Sequence, residues 1–234
     1  MVSSTALYWI VFIGTAVLSW IVQNNLKNKF EKYSKVRGYT GLTGKQTAEK
    51  MLADFGITNV TVCCIKGQLT DHYNPVDHTL NLSEGVYQSN SIMAQAVAAH
   101  ECGHAVQHAV SYGPLTLRSK MVPIVNISSN LMTWILLGGM LVLNYTGNNT
   151  ILGCGIVLFA ATTLFAFITL PVEVDASRRA ITWLDQRGMT DASTHDYAVS
   201  ALKAAAYTYV VAAVSSLATL LYYIMIFMSG SRRR

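Results

Sequence analysis

The chain has 234 residues, of which 52% are hydrophobic and only 12% are charged, and its formal net charge is +5. Soluble domains contain about 25% charged residues, so this composition is typical of a membrane protein instead. The basic residues form no patch with interleaved aromatic residues, which excludes a nucleic-acid-binding module, and the four cysteines contain no C-x-x-C pair, which favours a reducing compartment.

Four apolar segments without charged residues are long enough to cross a bilayer. We predict membrane-spanning helices at residues 1–23, 122–143, 151–170 and 204–228, separated by polar parts at 24–121 and 171–203. Basic residues follow the first segment directly (Lys27, Lys29, Lys32, Lys35 and Arg37). Since basic loops stay on the cytoplasmic side, we expect a multi-pass plasma-membrane protein with both polar parts in the cytoplasm.

The terminal arginines disagree with this topology. Four spans that start outside also end outside, which would place Arg232, Arg233 and Arg234 there. The disagreement disappears if the last segment does not fully cross, so the sequence leaves that point open.

The first polar part begins with a predicted helix and short strands. Thr43 and Gln46 have the spacing of a capping box, which opens a helix over 45–54 that Gly56 closes. Strands are predicted at 60–65, 69–73 and 79–82. Zinc peptidases often bind an extended peptide along a strand edge near the metal helix. The candidates for that edge are Thr79, Leu80, Asn81 and Leu82, and an ordinary sheet edge is the alternative.

Residues 91–110 form the most informative stretch. They predict a helix that is apolar nearly all round and therefore buried, and Gly113-Pro114 is expected to end it. His100 and His104 are four residues apart, so both project from one face and can bind one ion. Glu101 lies beside that pair, where it can take a proton from water. This is the H-E-x-x-H arrangement of zinc peptidases, whereas Cys102 and Gly103 are expected to serve packing.

A catalytic zinc ion usually has three protein ligands, so a third is needed. His108 is about 12 Å along the helix axis from His100, too far to share the ion, and it is left as a group next to the site or at the surface. We expect Pro171 to end the third span and a new helix to start near Glu173. Glu173 is favoured as the ligand over Asp175, which points to the other side, and Asp175 or Ser177 would then support the ligands.

The residues around these motifs resemble a known family. The run from Ser91 to Gln107, preceded by Asp71-His-Tyr-Asn-Pro75 and followed by the run from Leu170 to Ala180, resembles the YugP-like family of neutral zinc metallopeptidases of bacterial membranes. The resemblance implies one Zn²⁺ per chain, held by His100, His104 and Glu173, with Glu101 as general base. Larger membrane gluzincins have Asp four residues after the Glu ligand, where this chain has Ser177.

The expected fold is mainly α: about four transmembrane helices with a small cytoplasmic zincin-like α+β domain that carries the metal helix. The expected function is hydrolysis of peptide bonds in polypeptides that lie in or next to the lipid bilayer. The alternative is a membrane scaffold or partner-binding protein in which zinc only holds helices together. An intact Glu101 favours the enzyme, because a structural zinc site does not need it.

Overall fold

A computed structural model describes residues 4–231. The chain is mainly helical, with one small sheet. Its elements are α1 (Ser4–Tyr33), α2 (Gly44–Asp54), β1 (Thr61–Ile65), β2 (His72–Asn74), β3 (Thr79–Ser83), α3 (Glu84–Tyr87), α4 (Ile92–Ala109), α5 (Gly113–Thr146), α6 (Thr150–Gln186) and α7 (Ala192–Ser231). The chain divides into two compact units.

The first unit, here the apolar unit, comprises Met1–Ile21, Leu117–Leu170 and Tyr209–Arg234. Within residues 4–231, four helices are long and apolar enough to cross a membrane: Ala6–Tyr33, Gly113–Thr146, Thr150–Gln186 and Ala192–Ser229. The prediction of four candidate membrane-spanning helices is thus confirmed. Arg232, Arg233 and Arg234 lie outside the described residues.

The helices of the apolar unit pack through small and polar side chains, as is usual in membranes. A β carbon on Gly139 would lie only 2.6 Å from the backbone nitrogen of Leu152, so glycine is what lets α5 and α6 approach closely. The Thr163 and Ser216 hydroxyl oxygens are 2.7 Å apart and join α6 to α7. Large apolar side chains remain exposed on these helices, among them Trp134, as expected of surfaces that contact lipid tails.

The second unit, here the polar unit, comprises Val22–Thr116 and Pro171–Thr208. The predicted capping box is confirmed: the Thr43 side chain accepts from the Gln46 backbone N–H, and the Gln46 side chain accepts from the Thr43 backbone N–H. Gly56 follows α2 with φ +67°, the left-handed conformation that suits glycine. Helix α2 packs on α4 and contributes Ala48, Met51 and Leu52 to the core.

The sheet has the order β1-β3-β2, with β1 parallel to β3 and β2 antiparallel to it. The prediction that Thr79, Leu80, Asn81 and Leu82 form a free edge is therefore wrong, because β3 is the central strand. Its Leu80 and Leu82 side chains are fully buried in the core. The edges of the sheet are β1 and β2.

Helix α4 runs through the core of the polar unit, as its apolar composition predicts. Ser91 caps it by accepting a hydrogen bond from the Ala94 N–H at 3.2 Å. The helix ends at Ala109. Two residues later, Ser111 adopts the left-handed conformation, with φ +53°. Gly113-Pro114 does not end this helix but begins α5, in agreement with the preference of proline for the first helical turn.

Pro171 does not end a helix either. It lies inside α6, which continues to Gln186, so the prediction of a new helix start near Glu173 is wrong. Proline inside a helix costs about 3 kcal/mol through its missing N–H and its ring clash. Here the residues on its carboxyl side are held by packing, since Val172 and Ala176 are fully buried.

Candidate metal centre

Helix α4 presents His100 and His104 from one face, one turn apart. Their ring centroids are 4.9 Å apart and the ring planes meet at 82°. His104 is buried, and His100 is nearly so, with 12% of its side chain exposed. Imidazoles in such an apolar helix need partners, because a buried polar group without one is costly.

Helix α6 supplies Glu173, which is only 2% exposed. Its Oε2 atom lies 3.3 Å from His100 Nε2 and 3.5 Å from His104 Nε2. The three ligand atoms all lie within 4.8 Å of one another. Tetrahedral ligands at 2.0–2.1 Å from a zinc ion are about 3.4 Å from one another. The two N-to-O distances therefore fit a zinc ion with two imidazole ligands and one carboxylate.

The approach of α4 to α6 depends on Gly103. A β carbon at this position would lie 2.6 Å from the carbonyl oxygen of Ala176. Ala176 is three residues after Glu173, so the contact brings that turn of α6 against the histidine-bearing face of α4. The expectation that Gly103 permits close packing is confirmed.

The remaining ring nitrogens of both histidines have hydrogen-bond partners. His100 Nδ1 lies 3.1 Å from Ser177 Oγ, and His104 Nδ1 lies 3.0 Å from Gln107 Oε1. Partners of this kind orient metal-binding imidazoles.

Asp175 is not one of the three side chains that could hold a metal ion. Gln107 Nε2 donates to Asp175 Oδ2 at 2.8 Å and to the Val172 carbonyl oxygen at 2.8 Å. Arg179 Nε donates to the same Asp175 oxygen at 2.6 Å. The geometry thus gives two carboxylates of α6 different surroundings: Glu173 faces the two imidazoles, and Asp175 faces an amide and a guanidinium.

Glu101 is buried, and its carboxylate is fixed by the sheet. Its Oε2 atom accepts a hydrogen bond from the backbone N–H of Tyr73 at 3.1 Å. Tyr73 lies in the middle of β2, so an edge strand of the sheet reaches the residue next to the first histidine.

The Tyr73 side chain continues from there along α4. Its hydroxyl oxygen lies 2.8 Å from His108 Nδ1, and the His108 ring stacks on His78 with centroids 5.6 Å apart. Glu101 and His108 are about 10 Å apart along the helix axis, so Tyr73 contacts α4 at two positions, two turns apart. Burial raises the pKa of the Tyr73 hydroxyl. His108 is exposed and contacts Tyr73 and His78, and it is not one of the three side chains that could hold a metal ion.

The electrostatics of the centre favour a cation. Burial by itself lowers the pKa of His104, but the hydrogen bond with Glu173 and the negative charge of Glu101 outweigh it. The pKa of His104 therefore lies above its ordinary value. Two acidic side chains close to a buried imidazole stabilise positive charge at this place, whether a proton or a metal ion supplies it.

Gln107 and Tyr73 were not predicted as parts of the site. Gln107 follows His104 by three residues and so lies on its side of the helix, which is a signal in the sequence. Its other partners are 65 and 68 residues away along the chain, and Tyr73 reaches Glu101 only through the sheet.

With this geometry, the chain can be placed among known proteins. Residues 8–228 match the family described as "Putative neutral zinc metallopeptidase", and the chain belongs to that family. It is 44% identical over 224 residues to the "Putative membrane protease YugP" of Bacillus subtilis (strain 168), which covers 96% of this chain and 98% of that protein. No solved structure matches the chain significantly.

Proposed function

We propose that this protein is a membrane-embedded zinc metalloendopeptidase in which His100, His104 and Glu173 hold one Zn²⁺. The observation that carries the proposal is the convergence of their three ligand atoms, with a second carboxylate, that of Glu101, on the residue after His100. Zinc held there would supply a Lewis acid that lowers the pKa of water and polarises a peptide carbonyl. The ligand set, with its downstream glutamate, is that of a gluzincin.

In this proposal Glu101 is the general base. It takes a proton from the attacking water and passes it to the leaving amine. The hydrogen bond from the Tyr73 N–H holds one carboxylate oxygen in place and leaves the other to handle the proton.

We propose that the substrate is an extended polypeptide that lies in or next to the bilayer. Strand β2 is an edge of the sheet and contacts Glu101 through Tyr73, so a peptide added to that edge would pass the base. The four candidate spans tie the enzyme to the membrane. The basic residues after the first apolar segment support a cytoplasmic position for the polar unit in a bacterial plasma membrane.

The test is hydrolysis of an unfolded protein such as β-casein by the full chain in detergent. Glu101→Gln keeps the shape of the side chain but cannot accept the proton, so we expect zinc to stay bound while hydrolysis falls by at least about 10²-fold. Equal hydrolysis by the variant and the wild type would contradict the assignment of the base.

One observation favours a second function. The metal-binding side chains come from two helices, so an ion would also join α4 to α6, as a structural zinc does. A non-proteolytic scaffold or partner-binding protein predicts that Glu101→Gln is silent in every assay and that His100→Ala unfolds the protein.

A further inference from the structure

The buried amide of Gln107 has an orientation that its partners determine. The Val172 carbonyl oxygen can only accept a hydrogen bond, and the Asp175 carboxylate accepts as well. Both face one end of the amide at 2.8 Å, so that end is the NH₂ group. The other end, 3.0 Å from His104 Nδ1, is therefore the carbonyl oxygen, and Nδ1 must carry the proton it accepts.

The orientation of the Gln107 amide determines which ring nitrogen of neutral His104 carries the proton. With a proton on Nδ1, the Nε2 lone pair is free and faces Glu173 Oε2, where the metal would lie. The partner of His100 is different: the Ser177 hydroxyl can donate or accept, so it does not choose between the two neutral forms.

The amide is in turn held by a charged pair. Asp175 binds both Gln107 and Arg179 through its Oδ2 atom, and the Arg179 guanidinium lies 5.8 Å over the Tyr112 ring. Gln107 is fully buried, so these protein partners, and not bulk solvent, determine the orientation of its amide.

We propose that Gln107 is a positioning residue that sets the metal affinity by fixing the Nδ1-protonated form and ring orientation of His104. Asp175 then acts on the metal through Gln107 and makes no bond to the ion. This deepens the proposed function and rests on its metal site, but it concerns metal affinity and not hydrolysis.

The test is the zinc dissociation constant of the full chain in detergent, measured by competition with a chromophoric chelator. Gln107→Met keeps the length of the side chain and removes its hydrogen bonds, and we expect zinc to bind about 10–100-fold more weakly. The matched control is Gln95→Met. Gln95 lies on the same helix and is equally buried, but it donates to Thr40 and the Leu42 carbonyl oxygen, away from the ligands. We expect its zinc affinity to stay near that of the wild type.

Equal zinc affinities for Gln107→Met and Gln95→Met would overturn the proposal.

If Gln107→Met does not fold, a measurement on the wild-type protein tests the proposal instead. Nitrogen-15 NMR of histidine-labelled, zinc-free protein distinguishes the two neutral rings when it is recorded at a pH high enough to make His104 neutral, with His104→Gln to assign the resonance. We expect His104 to carry its proton on Nδ1, and a proton on Nε2 would overturn the proposal. Loss of hydrolysis in Glu101→Gln tests the proposed function separately, because that variant keeps Gln107 and its partners.

Discussion

Gly103 of α4 and Ala176 of α6 are in backbone contact, and the arrangement of the candidate metal ligands depends on that contact. No side chain fits between the two helices there, because even a β carbon on residue 103 would lie 2.6 Å from the Ala176 carbonyl oxygen. Glu173 lies one turn before Ala176 and His104 directly follows Gly103, so the distance between the helices determines the distance between ligands.

Gly103→Ala should therefore separate the ligands. We expect it to destabilise the protein by about 1–3 kcal/mol through overpacking, although alanine favours helix more than glycine does, and to lower zinc occupancy. The measurement is the melting temperature and zinc content of the detergent-purified variant. Gly85→Ala is the control, since a β carbon there meets nothing within 4 Å. A Gly103→Ala variant as stable and as zinc-loaded as the control would contradict the prediction.

Ser177→Ala removes the hydroxyl that orients His100. We expect zinc to bind up to about tenfold more weakly, with little change in melting temperature, because one supporting hydrogen bond is lost and the ligands remain. Ser200→Ala removes a hydroxyl that binds Lys29 and Tyr33 instead, and its zinc affinity should not change. A chelator competition in which the two variants behave alike would refute the role of Ser177.

Cys102 should be unreactive in the folded protein. Burial raises the pKa of its thiol well above the ordinary value, so at pH 8 the reactive thiolate is scarcer than in a free cysteine. Cys64 is exposed. Brief treatment with N-ethylmaleimide followed by peptide mass mapping should find Cys64 modified and Cys102 unmodified, with both modified in denaturant. Equal modification without denaturant would be the contrary result.

The exposed Cys64 also reports the side of the membrane. If the polar unit is cytoplasmic, a membrane-impermeant maleimide should label Cys64 in opened cells and leave it unlabelled in intact cells. Cys64→Ser identifies the signal. Labelling of Cys64 in intact cells would place the polar unit outside and reverse the proposed orientation.

The local parts of the site were predictable from sequence, and Glu173 was favoured as a downstream carboxylate that groups with the two histidines. The strand pairing and the contacts of Gln107 and Tyr73 were not predicted. The spacing of His100 and His104 defines a shared helix face without any tertiary information, and the Thr43 and Gln46 capping box is equally local. The position of β3 in the sheet depends on which strands pair with it, which alternation along one strand does not reveal.

Two wrongly predicted helix ends, at prolines, also result from tertiary context that the sequence does not reveal. Pro114 and Pro171 were both expected to end helices, on the rule that proline interrupts the hydrogen-bond pattern. Pro114 instead begins a helix, where its missing N–H costs nothing, and Pro171 is accommodated inside α6 next to fully buried residues. Gln107 escaped prediction because two of its three partners belong to α6.

The most direct test of this account is the zinc content of the wild type, Glu173→Gln, Asp175→Asn and Glu101→Gln, each purified in detergent. We predict one zinc per chain in the wild type, its loss in Glu173→Gln, and its retention in the other two, since only Glu173 faces both imidazoles. Zinc that survives Glu173→Gln but is lost in Asp175→Asn would move the third ligand to Asp175. A wild type that takes up no zinc, even after reloading, would contradict the metal site and the proposed peptidase.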